Sequence, residues 1–301
     1  MQSVKRRAYG IIIMAKMDKH SVAVNFGRAA RNYEKHAVLQ KMVGERLLER
    51  LDLVRISPER IVDIGAGTGT TARALADRYK TAKIIQVDLT PGMLQQSRSR
   101  SSRLFSRQRY ICADAENLPL ASGKSDLVFS SLTYQWCNDL DRAFSEAGRI
   151  LLPGGLFLFA TLGPDTLKEL RTSWSEVDDA VHVNTFFDMH DIGDALVRTG
   201  MTSVVMDTEN IVMTYPDCYA LMHDLKKIGA LNADTTRQKG LTGKNKIRLL
   251  VNAYEKFRKN NELPATYEIV YGHAWMPERK KQPGPQVAYV PVDNIRKQKN
   301  L

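Results

Sequence analysis

One stretch constrains this chain more than any other: Val62-Asp63-Ile64-Gly65-Ala66-Gly67-Thr68-Gly69, where a short apolar run ends in three alternate glycines. Ile61 to Ile64 reads as a buried strand, and Thr68 to Tyr79 carries a helical pattern. A strand that passes at once into a helix must bend sharply. Gly65, Gly67 and Gly69 permit that bend and let a ligand approach the backbone where any side chain would block it. The third glycine of a dinucleotide fingerprint would fall at position 70, which is Thr70, so the spacing is GxGxG and NAD is disfavoured.

The alternation continues. Lys83 to Val87 reads as a strand and Pro91 to Phe105 as a helix opened by its proline. Arg109 to Ala113 and Asp126 to Ser130 read as strands, Leu140 to Leu151 as a helix, Pro153-Gly154-Gly155 as a turn, and Leu156 to Leu162 as a strongly apolar strand. Continuous apolar strands between helices belong to parallel sheets covered on both faces. Beyond Gly163 come a helix over Thr166 to Trp174, an acidic stretch around Glu176 to Asp179, a helix over Ile192 to Thr199, and strands Ser203 to Met206 and Ile211 to Tyr215. Helices Asp217 to Ile228 and Gly243 to Asn260 precede a last strand, Tyr267 to Tyr271. Ahead of the first strand, Phe26, Ala30, Tyr33 and Ala37 recur at helical spacing in one amphipathic helix from Asn25, and Leu39, Val43, Leu47 and Leu51 form a second. The expected fold class is α/β, a doubly wound, mostly parallel seven-stranded sheet with an N-terminal helical lid and a helical insertion before the last strand. Its expected parts are a flexible extension over 1–20, the lid over 21–56, the ligand-binding core over 57–216, the insertion over 217–264, the last strand over 265–277 and a basic flexible tail over 278–301.

Composition excludes several classes. Hydrophobic residues at 43% and charged residues at 26% argue for a packed globular chain. No apolar run approaches the roughly 18 residues of a membrane span. Three widely separated cysteines, Cys112, Cys137 and Cys218, without a CxxC pair, suit neither a disulfide framework nor a zinc knuckle and fit a reducing cytoplasm; no metal is expected. Lys5-Arg6-Arg7 before Ala8 to Met14 imitates a signal peptide, but the apolar part is short and no small-residue cleavage site follows; Met14 and Met17 are further candidate initiators. The 44 Lys and Arg against 33 Asp and Glu give a net charge of +11, which favours a polyanionic or acidic partner, a nucleic acid or an acidic carrier protein.

About twenty residues past the glycine loop, Asp88 ends the second strand, where a carboxylate can grip both hydroxyls of a ribose. Asp114 closes the third strand in Ala113-Asp114-Ala115-Glu116, within reach of the exocyclic amine of an adenine. Capping alone could also place Gly and Asp at strand ends, but here three such elements converge on one crevice in order. Together with Leu118-Pro119 and Leu152-Pro153-Gly154-Gly155, these residues resemble class I S-adenosylmethionine-dependent methyltransferases. The resemblance implies that Asp63, Gly65 and Gly67 line the methionine end of the cofactor, that Asp88 binds its ribose and that Asp114 lies by its adenine, with Ala66, Leu89 and Ala115 completing the wall.

A more specific resemblance lies outside that core. Phe26-Gly27-Arg28-Ala29-Ala30, Tyr33-Glu34, His36-Ala37 and Leu39-Gln40 are similar to the N-terminal signature of malonyl-acyl carrier protein O-methyltransferases, the BioC family of biotin synthesis. Gln135-Trp136-Cys137, Leu167-Lys168-Glu169-Leu170 before Trp174, His182-Val183-Asn184 before Phe186, Leu225 to Ala230 and Tyr267-Glu268 extend the likeness over roughly Val24 to Met276. It implies an enzyme that methylates the free carboxyl of a malonyl group on an acidic acyl carrier protein, or on coenzyme A.

The chemistry then sets the requirements. A carboxylate is already ionised at neutral pH, so its methylation needs positioning and a dry pocket rather than a base. The helix bearing Phe26 and Tyr33 suits a lid, with rings to shield a sulfonium and a phenol to orient the donor or acceptor, and in the resembled family these positions close over the cofactor; packing alone would also explain them. Trp136 is a substrate candidate or a cap on the sheet. Arg28 and Arg171 are candidate clamps for the substrate carboxylate, or solvated surface cations. His182 could orient the substrate or be incidental. Arg98, Arg100, Arg103, Arg107 and Arg109 form one basic cluster; Lys239, Lys244, Lys246, Arg248, Lys256, Arg258 and Lys259 form another, suited to docking the carrier or simply a solvated face. An RNA methyltransferase would also suit the charge, yet no RNA-binding module or catalytic cysteine pair is present and Ser130-Ser131-Leu132 stands where an Asn-Pro-Pro-Tyr type motif would fall. Methylation of another small carboxylic acid, or an assembly role without methyl transfer, is the remaining alternative.

Overall fold

The computed structural model describes residues 16–101, 107–238, 240 and 242–278. The chain enters through α1 (Lys19–Ala29), whose N-terminus is capped by the Asp18 carboxylate accepting from the Ser21 amide at 3.1 Å. The short α2 (Tyr33–His36) and then α3 (Val38–Glu49) follow. The single helix expected from Asn25 to Ala37 is therefore broken. The Asn32 amide bonds back to the Ala29 carbonyl at 3.0 Å in a tight turn, which leaves Phe26 and Tyr33 as neighbours with ring centroids 6.3 Å apart. A three-residue turn preserves the spacing that a continuous helix would show, so periodicity alone could not reveal the break.

Residues 16–20, expected in the flexible extension, are held in place. Met17 pairs antiparallel with Asp234, the Asp18 amide donates to the Ala233 carbonyl and the Thr235 amide to the Lys16 carbonyl, each at 2.8 Å, and Met17 packs with Val22 and Ala233. The expectations placed on residues 1–15 and 279–301, and on Arg103 and Lys239, lie outside the described residues.

The core alternates as the sequence predicts: β1 (Arg60–Ile64), α4 (Thr70–Arg78), β2 (Lys83–Asp88), α5 (Pro91–Arg100), β3 (Gln108–Cys112), β4 (Ser125–Ser131), α6 (Leu140–Ile150) and β5 (Leu151–Leu162). It continues through α7 (Lys168–Ser175), α8 (Met189–Arg198), β6 (Thr202–Tyr215), α9 (Cys218–Lys227), α10 (Lys244–Glu255) and β7 (Leu263–Trp275). The seven strands lie in the order β3-β2-β1-β4-β5-β7-β6; β7 runs antiparallel to both its neighbours, and the other pairings are parallel. Successive strand residues feed opposite faces. Ile61, Leu127 and Leu158 pack with Val43 and Leu47 of α3 and Leu75 of α4, while Val62, Val128 and Phe157 pack with Phe144 of α6 and Ile192 of α8. Burial on both sides is why these strands read as unbroken apolar runs.

Two further expectations change. Ser203 to Met206 and Ile211 to Tyr215 are one strand, because β6 is the sheet edge and tolerates the intervening polar residues; Asp207 and Glu209 there pair with Arg50 and Arg46 beyond the end of and within α3. Pro153-Gly154-Gly155 is not a turn between elements but a bulge inside β5, where the pairing jumps from Ser125↔Leu151 to Leu127↔Leu156. Among the described residues no helix is long and apolar enough to cross a membrane.

The pair α9 and α10, between β6 and β7, reaches back to the N-terminal helices. Gly229 just beyond α9 has φ 79°, and a Cβ there would stand 2.9 Å from the Asn25 carbonyl oxygen and 3.1 Å from the Phe26 Cα. Gly229→Ala is expected to cost roughly 1–3 kcal/mol through overpacking and left-handed strain, read as a lower urea midpoint at constant slope. An unchanged midpoint would contradict this backbone-to-backbone contact.

Candidate active site

The strand ends build the crevice. After β1 the Gly65 and Ala66 amides both donate to the Val87 carbonyl of β2, at 2.7 and 3.0 Å. Gly65 turns at φ 72°, and a Cβ there would lie 1.8 Å from Thr133 Oγ1. A Cβ at Gly67, φ 55°, would instead project into open space, which leaves a cradle over the loop. Asp88 accepts from the Gly67 amide on Oδ2 and from the Thr90 amide on Oδ1, both at 2.8 Å. Burial raises its pKa while those hydrogen bonds pull it down. Each oxygen keeps a lone pair for a ribose hydroxyl.

Asp63 lies behind the loop and is 1% exposed. Thr71 Oγ1 donates to its Oδ2 at 2.8 Å, and its buried Oδ1 has no partner. Desolvation pushes this carboxyl up to about 7, against the Thr71 hydrogen bond and with help from the Asp88 charge. Asp114 is engaged: Lys19 Nζ of α1 lies 2.7 and 2.6 Å from its two oxygens and 2.7 Å from Glu116 Oε1. Gly65, Gly67, Asp88, Leu89, Asp114 and Ala115 line one cavity of about 100 Å³, whereas Asp63 and Ala66 are buried behind it. An open cradle over Gly67, spare lone pairs on Asp88 and, behind the loop, the Asp63 carboxyl with a partnerless oxygen that a nearby positive charge would ionise fit a nucleoside with a cationic tail.

The N-terminal helices roof this cavity through Lys19, Val22, Phe26 and Tyr33. Glu34, beside Tyr33, latches α2 to the loop: its Oε1 accepts from Thr68 Oγ1 at 2.8 Å, Thr70 Oγ1 at 3.2 Å and Arg73 at 2.9 Å, with Arg100 3.3 Å away. Burial first, then the Asp88 charge, raises the Tyr33 pKa, so its phenol is a neutral donor.

A second, larger cavity of about 330 Å³ lies on the far side of Phe26, Tyr33, Leu132 and Trp136, which line both. Phe26 and Trp136 meet edge to face at 5.4 Å. The second lining is largely apolar, with Leu162, Leu170, Trp174, Phe186, Met222 and Leu225 among its residues. His182 lines it too, stacked on Trp174 at 3.6 Å and bonded through Nε2 to Asp178 Oδ1 at 2.7 Å. Desolvation raises the Asp178 pKa, but the Lys246 ammonium at 2.7 Å and His182 outweigh it and hold the carboxyl at about 2.

Neither candidate arginine clamp lines either of these cavities. Arg28 is exposed. Arg171 turns back to donate to the carbonyls of Pro164 at 2.8 Å and Thr166 at 2.9 Å, fixing the loop after β5, and burial lowers its pKa. Sequence reasoning also missed Lys19, because it fell in the expected extension, and the latch at Glu34, although that residue follows Tyr33 in the quoted signature.

Fold and site together define a class I S-adenosylmethionine-dependent methyltransferase. The family described as Methyltransferase domain matches residues 62–159. Among solved structures, the YcgJ protein of Bacillus subtilis aligns at a TM-score of 0.56 and 17% identity, over 77% of this chain and 98% of its own. A SAM-dependent methyltransferase of Thermotoga maritima aligns at 0.50 and 19%, over 85% and 99%; both show the fold. Two proteins named malonyl-[acyl-carrier protein] O-methyltransferase are far more similar: that of Methylovorus sp., 49% identical over 88% of this chain and 91% of its own, and that of Laribacter hongkongensis, 51% identical over 86% and 90%. The chain belongs to the malonyl-[acyl-carrier protein] O-methyltransferase family.

A positive ligand over the loop favours ionised Asp63. Because the free carboxyl titrates near 7, S-adenosylmethionine binding at pH 6 is expected to release a proton, and affinity to rise with pH and level off above about 7. Asp63→Asn should abolish both effects; calorimetry in buffers of different ionisation enthalpy measures them, and a pH-independent wild type would contradict the assignment.

Proposed function

We propose that the protein transfers the methyl group of S-adenosylmethionine to the free carboxylate of a malonyl thioester on an acidic acyl carrier protein, an early step of biotin synthesis in the cytoplasm, with malonyl-coenzyme A as a smaller surrogate. The observation that carries this reading is the pair of cavities meeting at Phe26, Tyr33 and Trp136. One fits the donor and the other an apolar thioester arm, and the names of the similar proteins support the malonyl acceptor. A cavity lined mainly by Leu, Phe, Met and Trp does not suit a nucleic acid backbone.

When bound, the cofactor supplies an electrophilic methyl on a cationic sulfur. In the transfer, a carboxylate oxygen gains the O–CH₃ bond, the S–CH₃ bond breaks and its electron pair stays on sulfur. No proton moves, so no residue need act as a base. Gly65, Gly67 and Asp88 hold the nucleoside, with Leu89 and Ala115 alongside and Asp114 at the adenine end, shared with Lys19. Phe26, Tyr33 and Trp136 exclude water from the reacting atoms and orient the carboxylate, where attraction between opposite charges is strong. His182 helps to shape the acceptor pocket from its stack on Trp174.

The docking surface differs from the full basic cluster expected. Lys246 pairs with Asp178, Lys256 with Glu176 and Arg258 with Glu255, so these cations hold the insertion together. Exposed Lys226 and Lys227 on α9, and Lys244, Arg248 and Leu249 on α10, remain for an acidic carrier.

Incubating the protein with S-adenosylmethionine and malonyl-acyl carrier protein is expected to add one methylene of mass to the carrier; no gain would overturn the acceptor assignment. Exchanging Lys244 and Arg248 for Glu should raise the KM for the carrier substrate roughly tenfold and leave that for malonyl-coenzyme A nearly unchanged. Equal effects on the two would contradict docking on α10.

A further inference from the structure

The proposed acceptor is an anion, yet among the described residues no lysine or arginine lines the cavity assigned to it. In the neighbouring cavity Lys19 is the one such residue, and its ammonium already faces Asp114 and Glu116. The carboxylate must therefore be received by neutral groups. Most of the polar groups in the second lining are committed elsewhere. Gln135 spends its amide on the Leu132 carbonyl and Thr161 Oγ1, Asn232 on the Val181 carbonyl and the Asp234 amide, and His182 Nε2 is held by Asp178. Tyr33, Trp136 and Gln40 make no side-chain hydrogen bond among the described residues, and Gln40 Oε1 is buried without a partner.

We infer that Gln40, with the Tyr33 phenol and the Trp136 indole, forms a neutral donor site for the carboxylate of the acceptor, in place of an arginine clamp. The inference rests on the acceptor being a carboxylate, as proposed above. Its chemistry is consistent. An arginine would engage both oxygens bidentately and draw charge from the nucleophile, whereas an amide, a phenol and an indole hold the group by single neutral hydrogen bonds and leave one oxygen free to attack. The charge that compensates the carboxylate is then that of the sulfonium, present in the reacting complex and lost on transfer. Gln40 is suited to the task because its amide has no hydrogen-bond partner: as it stands the buried Oε1 is an acceptor left unpaired, and a half-turn of the amide puts the NH₂ in its place as a donor to the carboxylate. It also lies at the start of α3, one turn from α2, so Gln40 and Tyr33 line the same cavity from adjoining helices.

Malonyl- and acetyl-coenzyme A differ by the carboxylate alone, so the ratio of their affinities, measured with S-adenosylhomocysteine bound, reports on this site. Gln40→Leu is expected to lower the preference for the malonyl thioester about tenfold without changing the affinity for S-adenosylhomocysteine or for the acetyl thioester. Gln40→Glu should lower the preference further by repulsion, and Gln40→Asn should restore part of it. A residue with a packing role alone would shift both thioesters together. An unchanged ratio in a Gln40→Leu protein that melts at the wild-type temperature would overturn the inference, as would undiminished preference in Gln40→Glu. Should Gln40→Leu not fold, Gln40→Asn and Gln40→Glu carry the test. Wild-type protein that discriminates by the carboxylate yet forms no methyl ester would refute the proposed reaction while supporting the carboxylate site.

Discussion

The Val87 carbonyl takes hydrogen bonds from two successive amides, Gly65 and Ala66, and the Asp88 carboxylate takes a third from Gly67. These bonds tie the end of β1 to the end of β2, and the rest of the site is arranged around that junction. The bend they enforce puts Gly65 against Thr133, whose hydroxyl donates to the Ile64 carbonyl at 3.1 Å. Thr133 begins the turn that carries Trp136, and Leu132 just before it adopts φ 54°. The wall between the two cavities is thus set by the same loop that cradles the donor, and a change in the bend would move donor and acceptor relative to each other. Alignment of reacting atoms to within a fraction of an ångström is the main rate contribution available to a reaction that needs no acid or base.

Charge is distributed to the same end. The chain carries +11 overall, but the cations closest to the site hold its parts together. Lys19 fastens α1 to Asp114 and Glu116, Arg73 and Arg100 converge on Glu34 of α2, and Lys246 anchors α10 through Asp178 to the His182 and Trp174 stack. The lining of the larger cavity, among the described residues, is apolar or neutral. Opposite charges brought together there attract with little screening, while the unpaired basic residues of α9 and α10 face outward, where they act on encounter rather than chemistry.

Much of this was legible in the sequence, for reasons that differ by element. The glycine spacing and the strand-end acids could be read because a sharp strand-to-helix bend and a ribose grip each demand particular residue types at particular distances. The doubly wound sheet could be read because strands buried on both faces are apolar throughout. The course of β6 could not, since an edge strand accepts Asp207 and Glu209 without penalty. Nor could the break between α1 and α2, which keeps helical spacing across Asn32. The chemistry of arginine suits Arg28 and Arg171 to a carboxylate clamp, but no spacing supports either, and the fold sends one to solvent and the other to backbone carbonyls. Gln40 and Lys19 gained meaning only from long-range contacts, with a cavity wall and with a strand end far along the chain, which no local pattern encodes.

In the proposed reaction, donor and acceptor meet through the gap between Phe26, Tyr33 and Trp136. A crystal structure of the protein with S-adenosylhomocysteine and malonyl-coenzyme A tests it most directly. The thioether sulfur is expected in the smaller cavity, pointing at that gap, and an acceptor carboxylate oxygen in line with it from the larger one, with room between them for a methyl carbon about 3 Å from the oxygen. A sulfur directed elsewhere, or a malonyl group seated outside the larger cavity, would contradict it.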